Sequence, residues 1–129
     1  TLSISERIRN MITIHLHDVQ LHAFHGIYEG EDKVGNPYVI NLDVTYDERV
    51  SNFEELKHTI DYVDLFEIVK TRMQVPTGLL EKVCEGTIRR IRHQYPFVKE
   101  VTLSIYKLQA PIEHFQGKVG VSMNKKFND

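Results

Sequence analysis

The chain has 129 residues, 41% of them apolar and 26% charged, which suits one folded domain with a sizeable core and excludes a disordered tail. A formal charge of -2 and a pI near 6.4 give no electrostatic reason to expect nucleic acid or an anionic membrane as partner, so a small neutral or polar ligand fits better. Cys84 is the single cysteine, which rules out an intrachain disulfide and points to the cytoplasm. No signal peptide or membrane-spanning apolar run is expected.

Residues 1–10 carry mixed charge without periodicity and read as a peripheral extension or an expression remnant, leaving 11–129 as one domain. Apolar residues alternate at Ile12, Ile14 and Leu16, then resume in the opposite phase at Val19, Leu21 and Ala23. That one-residue slip predicts a first strand with a β-bulge near His17 and Asp18. From His25 to Glu31 two glycines and two acidic residues interrupt the pattern, predicting a shaped loop of the kind that carries sites. After Gly35-Asn36-Pro37, alternation of Tyr38, Ile40, Leu42, Val44 and Tyr46 predicts a half-buried strand pairing with the first.

Glu48 to His58 reads as a connection. Asp61 is the expected N-cap of a helix whose stripe is Val63, Phe66, Val69 and Met73, ended by Pro76 and Gly78. A second helix runs from about Leu79 to Arg92, with Leu80, Val83, Cys84, Thr87, Ile88 and Ile91 on one face, until Tyr95-Pro96. Alternation at Val101, Leu103 and Ile105, and again at Val119, Val121 and Met123, predicts two last strands around a loop containing Ala110-Pro111-Ile112. The order β-β-α-α-β-β is an α+β pattern, a four-stranded antiparallel sheet with two helices on one face. Its free edges favour association into a homo-oligomer.

Four polar residues stand out by position: Glu31 in the shaped loop, Tyr62 after the helix cap, Glu81 in the first turn of the second helix, and Lys107 at a strand end. Each has an ordinary role as well. An acidic residue in a first turn complements the helix dipole, a strand-end lysine is a solvated edge charge, and a tyrosine at a helix start packs with its hydroxyl exposed. His15 and His17 would share one strand face, but a catalytic zinc site takes three protein ligands, and the phase slip separates them from His22 and His25. Surface or hydrogen-bonded histidines are the expectation, with no metal site.

From Ile12 to about Met123 the chain resembles the dihydroneopterin aldolases of folate biosynthesis, small tunnelling-fold enzymes. The resemblance rests on four words in order: His25-Gly26 followed by Glu31 and Gly35; Thr59-Ile60-Asp61-Tyr62; Leu79-Leu80-Glu81; and Lys107 with Ala110-Pro111-Ile112. It implies a lyase that cleaves 7,8-dihydroneopterin by a retro-aldol reaction to 6-hydroxymethyl-7,8-dihydropterin and glycolaldehyde, with no metal or organic cofactor. It also implies Lys107, Tyr62 and Glu31 as catalytic residues, Glu81 as the pterin anchor, and a tetrameric or octameric ring with sites at subunit boundaries. Leu79, Leu80, Ile27 and Tyr28 are candidate apolar walls for the flat ring. The family pattern has a proline after the lysine where this chain has Leu108, which leaves the lysine backbone less restricted. An epimerase acting on dihydroneopterin or its triphosphate, a non-catalytic pterin-binding module of the same fold, and a zinc-dependent pterin enzyme using the histidines are the alternatives.

Overall fold

The computed structural model describes residues 10–26, 31–48 and 60–128, except for the side chains of Glu31 and Asp32. Two long strands open the fold, β1 (Met11–Ala23) and β2 (Asn36–Asp47), joined through a four-residue helix α1 (Glu31–Val34). Two helices follow, α2 (Tyr62–Met73) and α3 (Leu80–Gln94), then β3 (Val98–Lys107) and β4 (Val119–Lys126). All neighbouring strands are antiparallel and the sheet order is β1-β2-β3-β4, so β1 and β4 are its edges. The β-β-α-α-β-β order expected from the pattern is what the chain forms, with α1 added. A single turn is too short to leave a periodic signal.

The expected bulge lies in β1. Leu16 pairs with Leu42 but Val19 with Ile40, so His17 and Asp18 together oppose Asn41. Asp18 adopts φ 58, and its backbone N–H donates to Asn41 Oδ1 at 2.8 Å. An aspartate tolerates that left-handed backbone better than most residues. The bulge restores the phase, so Ile12, Ile14 and Leu16 before it and Val19 and Leu21 after it all pack towards the core.

On β2 every second residue from Tyr38 to Tyr46 is buried, and on β3 Val101, Leu103 and Ile105 join them beneath the helices. The opposite sheet face is polar. Thr13 and Thr45 hydroxyls lie 2.8 Å apart, Ser104 and Ser122 hydroxyls 2.7 Å apart, and Asn124 donates to Thr102 Oγ1 at 2.7 Å.

Helix α3 buries Val83, Cys84, Thr87, Ile88 and Ile91, the face its pattern predicts, with Leu80 half-buried. Cys84 packs there as a small hydrophobe, and burial first, then the charge of Glu81, pushes its thiol up to about 11, which removes it as a nucleophile near neutral pH. Asp61 caps α2 as expected, accepting from Val63 N–H at 2.9 Å. The stripe of α2 differs from the expectation. Leu65, Val69 and Met73 are buried, whereas Val63 is exposed and Phe66 only half-buried. Val69 and Met73 belong to both possible stripes, and packing against α3 and the sheet selects the one through Leu65. Among the described residues, no helix is long and apolar enough to cross a membrane.

Candidate active site

The sheet end where β2 begins and β3 finishes is where the candidate residues converge. Tyr38 pairs with Lys107, and Lys107 with Val119, so the lysine stands in the last rung of a three-strand ladder. Its position is in phase with Leu103 and Ile105, which turns the side chain to the helix-covered face. Lys107 is accordingly 9% exposed and not the solvated edge charge that a strand-end lysine ordinarily is. The following residue is held as well, because Leu108 N–H donates to Pro37 O at 3.1 Å.

Helix α3 starts beside this rung. Leu79 is its N-cap residue, without a side-chain cap hydrogen bond, and Leu80 and Glu81 form the first turn. Glu81, Lys107, Leu79 and Leu80 line one cavity of about 250 Å³, closed on its other side by Pro111, Ile112 and the start of β4. One carboxylate, one ammonium group and apolar walls thus meet in a cleft. That composition suits a flat, polar-edged ligand, but the volume is slightly below the usual range of about 300–1,000 Å³ for such sites.

Gly120 shapes the same cleft. A Cβ placed there would lie 2.1 Å from Ile105 O, so only glycine lets β4 approach β3 at this rung. Gly120 falls between Val119 and Val121 of the expected last strand, and a glycine inside such an alternation is the signal of a close approach.

A second feature gives His25-Gly26, the first of the four sequence words, a role that its residues alone did not specify. His25 is fully buried, its Nδ1 accepts from Thr77 N–H at 3.1 Å, and Gly26 N–H donates to Thr77 O at 3.0 Å. Tyr38 hydroxyl closes the latch from below by donating to His25 O at 2.9 Å. The loop leaving β1 is thereby fixed to the α2–α3 connection that leads into Leu79 and Glu81. Burial, reinforced by the nearby charges of Arg72 and Lys107, lowers the His25 pKa to about 4, so the ring is neutral at pH 7. Its Nε2 is buried without a hydrogen-bond partner among the described residues.

Of the other expected residues, only Tyr62 has a described side chain, and it stands apart. Tyr62 opens α2, is 65% exposed and does not line the cavity with Glu81 and Lys107. Glu31 begins α1, which leads into β2 at the end that carries the Tyr38–Lys107 rung, but its side chain lies outside the described residues. Ile27, Tyr28 and Thr59 fall outside them too.

The family model for dihydroneopterin aldolase (FolB) matches residues 14–124, most of the chain and all four sequence words. The chain belongs to the dihydroneopterin aldolase family. That family is one of lyases, and the similarity reaches individual members at low identity. A dihydroneopterin aldolase of Streptococcus pyogenes serotype M6 is 22% identical over 120 residues, covering 90% of this chain and 99% of the relative. Escherichia coli dihydroneopterin aldolase, solved in complex with neopterin, superposes with a TM-score of 0.76 at 16% identity, covering 88% of this chain and 98% of that one. Dihydroneopterin aldolase from Burkholderia thailendensis, solved bound to guanine, gives a TM-score of 0.74 at 17% identity, covering 92% and 93%. The tunnelling fold expected from the resemblance is the fold of these neighbours.

Proposed function

We propose that the protein cleaves 7,8-dihydroneopterin by a retro-aldol reaction to 6-hydroxymethyl-7,8-dihydropterin and glycolaldehyde. The observation that carries this reading is the shared cavity of Glu81 and Lys107, walled by Leu79 and Leu80. The Glu81 carboxylate accepts two hydrogen bonds from the 2-amino group and N3–H of the pterin, a charge-assisted bidentate match. Anchored there, the ring lies between apolar walls with its side chain towards Lys107.

The chemistry needs a base for the 2′-hydroxyl proton and a sink for the electrons released as the C1′–C2′ bond breaks. The substrate supplies the sink, since its N5=C6 imine accepts the pair as an enamine and leaves C1′ to be reprotonated. Lys107, through an ordered water, manages the proton near N5 and the side-chain hydroxyl. Tyr62 assists at the side chain, and Glu31 positions the polyol end. General acid–base assistance of this kind is worth about 10²–10⁴ in rate.

Tyr62 does not line the cavity of its own chain, so it serves a neighbouring subunit, in a homo-oligomer of four or eight chains with composite sites. The two sheet edges, β1 and β4, are the surfaces available for closing such a ring. A cytoplasmic location is in keeping with Cys84, a free and buried thiol.

Incubation with dihydroneopterin followed by product analysis tests the reading. Glycolaldehyde in equal amount to hydroxymethyldihydropterin is expected from the wild-type protein. Lys107→Ala should keep pterin binding while turnover falls by at least about 10². Formation of a stereoisomer without glycolaldehyde would make the protein an epimerase, and full activity of Lys107→Ala would remove the lysine from the mechanism.

A further inference from the structure

The polar sheet face, away from the cavity, carries a cluster that the pterin chemistry does not use. His15 and Asp43 are directly paired across β1 and β2, and His15 Nδ1 contacts Asp43 Oδ1. His17, two residues along the same face, brings its Nε2 to 2.8 Å from that same oxygen. The two imidazole rings meet edge to face with centroids 5.0 Å apart. Two ring nitrogens therefore meet one carboxylate oxygen, and the three atoms lie within 4.8 Å of one another.

The bulge contributes to this convergence. With His17 and Asp18 both opposing Asn41, Asn41 holds the Asp18 backbone N–H, and the His17 ring reaches back to Asp43. Histidine spacing alone offered only two ligands from β1, and the third comes from the neighbouring strand. Side chains of His15 and His17 are 59% and 49% exposed, so an ion has open access.

We propose that His15, His17 and Asp43 form a binding site for a divalent cation of the zinc class. Two imidazoles and one carboxylate make a three-ligand set that suits zinc and its borderline neighbours cobalt, nickel and copper over magnesium or calcium. Donor separations in a four-coordinate zinc sphere are about 3.3 Å, given bonds of about 2.0–2.1 Å, so both rings turn from their contact with Asp43 Oδ1 when the ion binds. Water fills the remaining position. The cluster faces away from Lys107, whose side chain lies beneath the helices, so this site is separate from the pterin cavity and from the proposed cleavage.

The test uses the full chain without an affinity tag and zinc chloride as the probe, with binding followed by equilibrium dialysis and Co²⁺ substitution followed by its visible absorption. One ion per chain is expected for the wild type, with visible bands of a low-coordinate cobalt site. Loss of a group that only orients a metal ligand costs about 10–100-fold in metal affinity. Asp43→Asn, His15→Gln and His17→Gln should each cost at least that much, while His114→Gln, at a distant exposed histidine, should cost nothing. All three targets are on the surface, and circular dichroism checks that each variant is folded. Absence of saturable zinc binding by the wild type, or equal affinity in the wild type and the folded variants, would overturn the assignment.

Discussion

Glu81 and Lys107 show how far a residue's role depends on what the fold sets beside it. Alone, the first is a helix-dipole partner and the second a strand-end cation; they share one apolar-walled cleft, and the proposed function makes them a recognition and proton-transfer pair. Glu81→Gln should weaken pterin binding by about 1.5–3 kcal/mol, because it removes the charge and one acceptor from a bidentate contact. Titration with a non-cleavable pterin measures this, and unchanged affinity would return Glu81 to the role of dipole partner. His25 carries a second prediction. Its folded pKa is about 4, below its ordinary value of 6.5, so between those values the unfolded chain takes up a proton that the folded chain refuses. Stability is therefore complete above pH 6.5 and declines as the pH falls towards 4, by up to about 3 kcal/mol from this group. Urea unfolding of the wild type and His25→Asn at both ends of that range gives the difference in slope. A wild type no more acid-sensitive than the variant would contradict the burial argument.

Most elements were legible in the sequence because their periodicity is long and unbroken. The five alternating apolar residues of β2 and the six-residue face of α3 left no competing arrangement, and the bulge announced itself as a phase slip in β1. Helix α2 was legible as a helix but not as a face, since Val63 and Phe66 fit the spacing as well as Leu65 does and only tertiary packing separates them. The partnership of Glu81 with Lys107 depends on α3 starting beside the last rung of β3, a relation of topology that no local pattern contains. The Leu108 departure from the family likewise changes meaning once the strand ends are seen. Its N–H donates to Pro37 O, so a proline there would remove a bond that steadies the residue after Lys107. Leu108→Pro is therefore expected to destabilise the protein by about 1 kcal/mol or more. A raised melting temperature would show that the family's backbone path is open to this chain as well.

At the scale of the whole molecule, the proposed function draws on the sheet edges as well as on the cavity. The cavity holds Glu81 and Lys107, Tyr62 stands exposed on another element, and β1 and β4 form the two edges of the sheet. In the proposed function, ring assembly through those edges unites these features. The direct measurement is complementation between two variants, Tyr62→Phe and Lys107→Ala, each poorly active alone, unfolded together, mixed in equal amounts and reassembled. A site that takes Tyr62 from one chain and Lys107 from the next is intact when the first comes from the lysine variant and the second from the tyrosine variant. Random mixing in a closed ring then restores roughly a quarter of the sites. Glycolaldehyde release from the mixture at about that fraction of the wild-type rate is the predicted result, whereas mixed oligomers no more active than either parent would contradict the shared site.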